Sequence, residues 1–165
     1  EAPYGPGFTI GTLGATLDAA LAGDTWTVKN DSRGYGPITS TNGGMLTLTG
    51  VGNGVFDKVL GGTGGVTKTG TGTWTLNQAN TYTGDTTING GTLELAQAVA
   101  TLATNSTVTI ADGAFLQLTD GTVTNVVAGL VTNGVAAGRI WPVVPNPIGS
   151  DAGAVTVVEF RLLTC

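Results

Sequence analysis

Histidine is absent from this 165-residue chain, cysteine occurs once, and only 10% of the residues are charged. Each shortage removes something. Cys165 stands alone, so no disulfide can close within the chain. An odd cysteine reads either as a link between subunits or as a small apolar residue at a strand end. The six basic residues, Lys29, Arg33, Lys58, Lys68, Arg139 and Arg161, are scattered, and the formal net charge is −5. An acidic chain without a basic cluster argues against nucleic acid and against an anionic membrane surface as partners. No apolar run approaches the roughly 20 residues that span a bilayer, so membrane insertion is not expected. The length suits one domain with one continuous core. The first residue is Glu1 rather than Met, which is the expectation for a form processed after signal-peptide removal. So little charge also favours association over dispersal.

What the chain has in quantity is glycine, 28 residues, and threonine, thirty residues, together more than a third of it. Threonine is β-branched and suits a pleated surface, and glycine permits tight turns. The pair predicts an all-β protein of many short strands and many corners. The segments 45–50, 73–76, 86–89, 92–95, 107–110 and 115–118 mostly alternate polar and apolar residues. Alternation places Leu46, Leu48, Leu76, Ile88, Leu93, Leu95, Val108, Ile110, Leu116 and Leu118 on one face, with mainly threonine opposite. Asn-Gly and Asp-Gly turn signals separate the strands, as at Asn42-Gly43, Asn53-Gly54, Asn89-Gly90 and Asp112-Gly113. The same dipeptides serve hairpins, so an antiparallel β-sandwich, a pilin-like subunit, is the alternative fold. Leu76, Ile88, Leu95, Ile110 and Leu118 recur at intervals of 12, 7, 15 and 8. That spacing suits coils of three short strands better than even hairpins. Coils of roughly 20–25 residues, rising about 4.8 Å each, would make a rod of about seven coils.

Residues 66–95 read VTKTGTGTWTLNQANTYTGDTTINGGTLEL. Lys68, Gly70, Gly72, Leu76, Asn80, Tyr82, Gly84, Ile88, Asn89, Gly91, Leu93 and Leu95 carry a pattern in this stretch. The pattern closely resembles the autotransporter-associated β-strand repeat, or passenger-associated repeat, of secreted bacterial surface proteins. The resemblance implies a parallel β-helix, or β-solenoid, that is extracellular and structural. Upstream, Leu13, Leu17, Ala20 and Leu21 fall at helical spacing and predict a short helix over 13–22, stopped at Gly23. Helix and following AGDTWTV resemble the N-terminal cap of right-handed parallel β-helices. Downstream, NGVAAGRIW, an irregular loop and AGAVTV resemble the C-terminal end of secreted repeat proteins of this family. Trp141 stands there where tyrosine is usual, and EFRLLTC is additional. The expected organisation is a single domain over 1–165. Within it come a strand segment at 1–12, the capping helix at 13–22, coils over 24–141, a proline-rich loop at 142–153 and a final strand at 154–165.

Parallel β-helices include pectate lyases and glycosidases, so the chain was tested for a catalytic constellation. Asp24, Asp31, Asp57, Asp85, Asp112, Asp120 and Asp151 nearly all sit beside glycine, asparagine, serine or threonine, where aspartate caps turns. No motif places two carboxylates together as a glycosidase requires. The segment GGTGGVTKTG matches neither a phosphate-binding loop nor a calcium-binding β-roll. The expectations are therefore no enzyme, no cofactor and no metal, with structural calcium as the weaker alternative. Trp26, Trp74 and Trp141, with Tyr4, Tyr35 and Tyr82, could stack sugars, but their wide separation favours packing.

The two ends carry the remaining signal. FTIGTL and AVTVVEFRLL are strong β-formers, and an uncovered strand of that kind pairs with whatever edge it meets. Phe8, Ile10, Val155, Val157, Phe160, Leu162 and Cys165 form the candidate assembly interface, through which subunits join head to tail by β-augmentation. The reading is a self-associating homo-polymer, an extracellular bacterial surface or matrix filament. The alternative is an adhesin or passenger-stalk module that binds surface glycans as a monomer.

Overall fold

Alternating strands interrupted by glycine every few residues cannot run far before turning, and the computed structural model of the chain shows that consequence directly. It describes residues 8–29, 36–97, 102–103, 106–118, 129–132 and 139–142. Among these residues there are sixteen strands and no helix. The first rung holds β1 (Thr9–Ile10), β2 (Ala15–Ala19) and β3 (Thr25–Val28). The second holds β4 (Ile38–Ser40), β5 (Leu46–Gly50) and β6 (Asn53–Phe56). β7 (Leu60–Gly62), β8 (Val66–Lys68) and β9 (Thr73–Leu76) form the third. β10 (Thr81–Tyr82), β11 (Thr86–Ile88) and β12 (Thr92–Leu95) form the fourth. Two further rungs follow with β13 (Thr107–Ile110) and β14 (Phe115–Leu118), then β15 (Gly129–Thr132) and β16 (Arg139–Pro142).

Corresponding strands stack into three sheets, ordered β1-β4-β7-β10, β15-β13-β11-β8-β5-β2 and β16-β14-β12-β9-β6-β3. Every pairing is parallel. This is a parallel β-helix, and the antiparallel sandwich alternative is excluded. The middle rungs repeat at 20 residues, since Leu46 pairs with Val66, Val66 with Thr86, and Gly54 with Trp74. Later rungs open slightly, with Val108 opposite Leu130 and Leu116 opposite Ile140. Six rungs, five steps of about 4.8 Å, place the first and last about 24 Å apart.

The expected apolar face is the core. Leu46, Leu48, Leu76, Ile88, Leu93, Leu95, Val108, Ile110, Leu116 and Leu118 are all buried in one cluster. Each large apolar side chain removed from water contributes roughly 1.5–3 kcal/mol before chain entropy is subtracted. On the solvent side, Thr16, Thr47, Thr67, Thr87 and Thr109 stand in register along one sheet. Threonine thus fills the outer positions of strands whose inner positions are aliphatic.

The expected capping helix over 13–22 is corrected: that segment is a turn and the strand β2. Leu13 is fully exposed, and Gly14 turns at a φ of 75°. A Cβ on Gly14 would lie 2.6 Å from the Met45 carbonyl oxygen. Ala15, Leu17 and Ala19 share one face of β2 and pair with Leu46, Leu48 and Gly50 of β5. A helix shorter than about 12 residues is marginal on its own. A ready sheet edge with matching register outcompetes it. At the other end, Pro142 closes β16 instead of opening a loop. The remaining proline-rich segment and the final strand expected over 154–165 lie outside the described residues.

Candidate functional site

The repeat residues explain how the rungs stack so closely. Gly44, Gly64 and Gly84 occupy successive rungs at 20-residue spacing. A Cβ on Gly64 would lie 1.8 Å from the Gly44 carbonyl oxygen, and one on Gly84 2.6 Å from the Gly64 carbonyl carbon. Gly70 and Gly72 meet the same constraint against Gly50 and Gly52, at 2.4 and 1.8 Å from their carbonyl oxygens. Gly91 would carry its Cβ 2.4 Å from the Gly72 carbonyl oxygen. Corners of adjacent rungs therefore touch backbone to backbone, and no side chain fits between them. Leu76, Ile88, Leu93 and Leu95 fill the core beneath.

Three polar members of the repeat are buried and satisfied. Lys68 is fully buried, inward-facing in register with Leu48 and Ile88. Its Nζ donates to the carbonyls of Thr69 (2.5 Å), Gly70 (3.1 Å) and Gly90 (3.0 Å). The ammonium thus ties two successive turns together. Desolvation pulls its pKa down to about 8. Asn80 Oδ1 accepts from the Leu60 amide at 3.0 Å, and its Nδ2 donates to the Gln78 carbonyl at 3.0 Å. Tyr82 is buried with its hydroxyl 2.6 Å from Thr86 Oγ1. Burial raises its pKa to about 12 against hydrogen bonds from Thr86 and the Ala103 backbone. Asn89 donates its amide to the Lys68 carbonyl at 2.8 Å. All twelve repeat residues therefore belong to the stacking architecture.

Chemistry that faces outward gathers at the first rung. β1, β2 and β3 end their sheets among the described residues, so one edge of each lacks a strand partner there. Four exposed large apolar residues, Phe8, Leu13, Leu21 and Trp26, belong to this rung. An apolar cleft of about 390 Å³ opens over the core, lined by residues that include Leu17, Trp26, Val28, Ile38 and Leu46. A second cleft of about 400 Å³ occupies the corner between β2 and β3, with Asp18, Leu21, Asp24 and Trp26 in its lining. Trp26 borders both.

Of the expected assembly residues, Phe8 is exposed, whereas Ile10 faces inward and is 1% exposed. The first rung brings these two together. Val155, Val157, Phe160, Leu162 and Cys165 lie outside the described residues. Packing is the role of Trp74 and Tyr82, as expected, but Trp26 is 45% exposed. The corner cleft was not legible locally. Asp18 sits in a segment with helical spacing, and only the β-turn geometry brings it beside Asp24 and Trp26. Among the described residues, no three His, Cys, Asp or Glu side chains gather as a metal site would require.

Comparison with known proteins agrees with this architecture. Residues 66–95 match the passenger-associated-transport-repeat, the third and fourth rungs of the helix. The chain is also 37% identical over 97 residues to the adhesin BmaC autotransporter of Brucella suis biovar 1 (strain 1330). That similarity covers 55% of this chain and 3% of the much longer relative. No solved structure matches the chain significantly. The chain therefore carries an autotransporter passenger repeat folded as two stacked rungs of a parallel β-helix.

Proposed function

We propose that this chain is a structural β-solenoid module of a bacterial surface passenger, and that it performs adhesion, not catalysis. The observation that carries the reading is the unbroken stack of parallel rungs built on the transport repeat. Its similarity to an autotransporter adhesin supports an extracellular or cell-surface location. A flat-sided rod with threonine ladders outside and every repeat polar group bound within is suited to holding a contact surface away from a cell. In this reading the partners are cell-surface or matrix components, glycans among them, and neither nucleic acid nor a lipid bilayer.

A finer reading concerns self-association. The first rung offers unpaired strand edges and a rim of exposed apolar side chains, Phe8, Leu13, Leu21 and Trp26. Such an edge accepts a further parallel strand by β-augmentation. A second copy joined in that way extends the rod head to tail, and an open head-to-tail contact grows into a filament. Negative-stain electron microscopy of the purified chain tests it, with and without reductant. The expected result is rods joined end to end, fewer of them when residues 155–165 are deleted. Discrete rods of one size at all concentrations would remove the filament and leave the monomeric adhesin module.

A further inference from the structure

We infer that the corner cleft of the first rung binds a glycan ring bearing a cationic amine, through the face of Trp26 and the carboxylates of Asp18 and Asp24. The inference rests on the surface-adhesion reading above and names the ligand class for it. Three observations carry it.

The first is an aromatic surface that is exposed yet fixed. Trp26 is 45% exposed, and its ring meets Trp74 edge to face, with centroids 5.9 Å apart and planes at 83°. Trp74 is fully buried and anchored by its Nε1 donating to the Thr49 carbonyl at 2.8 Å. Between their strands lies Gly54, paired with both residues, where a Cβ would stand 2.4 Å from the Trp74 ring. Glycine there lets the lower indole reach up beneath the upper one. The Trp26 ring is thereby positioned before any ligand arrives, which lowers the ordering cost of binding.

The second is a pair of uncommitted carboxylates. Elsewhere on the rod, outward acids serve the rungs: Asp57 accepts from Gln78 at 2.7 Å, and Asp85 from the Thr107 amide at 2.8 Å. Asp18 and Asp24 line the cleft, and among the described residues neither has an ion pair or side-chain hydrogen bond. No lysine or arginine lines this cleft.

The third is size. A volume of about 400 Å³ lies within the range of small-ligand sites, which start near 300 Å³. A lone alkylammonium would leave most of it empty, whereas a pyranose ring can lie flat on an indole. Covering two carboxylates with a neutral sugar would strip their water without returning charge. An ammonium on the ring returns it, and the indole face attracts the same cation.

The test is a titration of the purified chain, followed by tryptophan fluorescence and calorimetry, with a glucosamine tetramer, its N-acetylated form, and tetralysine. The free-amine sugar should bind with a Kd on the order of 1 mM, the other two roughly tenfold more weakly or worse. The double variant Asp18→Asn/Asp24→Asn should lose that preference, and Trp26→Ala should lose binding. A thermal melt confirms that each variant is folded, and the double Asn variant keeps the test valid if Trp26→Ala is not. Equal binding of the N-acetylated sugar, tighter binding of tetralysine, or unchanged binding by the Asn variant would each overturn the inference. Beads coated with the Asn variant separate the two readings. Adhesion that persists when the wild-type chain binds no amine sugar overturns this site alone and leaves the surface module standing.

Discussion

A single missing methyl group decides whether two rungs of this rod can close on each other. Gly64 is wedged against the Gly44 carbonyl, 1.8 Å from where a Cβ would sit, so the corner must move to admit alanine. The expected cost of Gly64→Ala is about 1–3 kcal/mol, as for other forced overpacking, read as a lower midpoint in urea unfolding. An unchanged midpoint would mean that the corners are not in contact. Lys68 is the residue least legible in the sequence, because a lysine ordinarily marks a solvent face. One signal was present: in Val66-Thr67-Lys68 the lysine holds the inward phase of the strand. Its capture by three carbonyls depends on turns from two rungs, which no local pattern reveals. Burial of Lys68 and Tyr82 makes stability depend on alkaline pH in two opposite ways. The folded Lys68 releases its proton at about 8 instead of 10.5, so the unfolded chain binds more protons between these values and stability rises there. Tyr82 keeps its proton to about 12 instead of 10.0, so stability falls across that window. Urea midpoints measured from pH 7 to 12 should climb, then drop. The climb should vanish in Lys68→Met and the drop should weaken in Tyr82→Phe.

Among elements, legibility followed alternation. β5, β9, β11, β12, β13 and β14 were readable because threonine and leucine alternate strictly in them. β7 and β10 were not, since Leu60-Gly61-Gly62 and Thr81-Tyr82 are too short or too glycine-rich to show a period. β2 was misread because Leu13, Leu17 and Leu21 suit a period near four as well as Leu17 suits a period of two. Tertiary pairing with β5 settled it. The rung period itself yields a strong expectation. Gly61 pairs with Thr81, Val66 with Thr86, and Leu46 with Val66, each 20 residues apart. Excising residues 66–85 should therefore splice Gly65 onto Thr86 in phase and leave a shorter, folded rod. Circular dichroism should show a β spectrum with a cooperative melt at lower temperature, as stacked repeats lose one interface. Excising 66–75 instead breaks the phase and should abolish the cooperative melt. Equal behaviour of the two deletions would contradict the 20-residue register.

At the scale of the whole molecule, the repeat made the architecture legible, whereas the interacting end emerged only from the folded chain. The first rung joins residues from three segments, Phe8, Asp18 to Trp26, and Ile38, that no motif links. The rest of the rod is committed to its own stacking, with glycine corners, the carbonyl-bound lysine and aliphatic columns. That division of labour, an inert shaft and a reactive end, is what an adhesive surface module requires. It also explains the low charge: a shaft whose faces are threonine ladders needs few ions to stay hydrated. The most direct measurement is retention of chain-coated beads on epithelial cell and matrix surfaces, as a function of bead density and of added free chain. The account predicts saturable retention that free wild-type chain competes away. Retention no greater than that of albumin-coated beads, or retention indifferent to free chain, would contradict it.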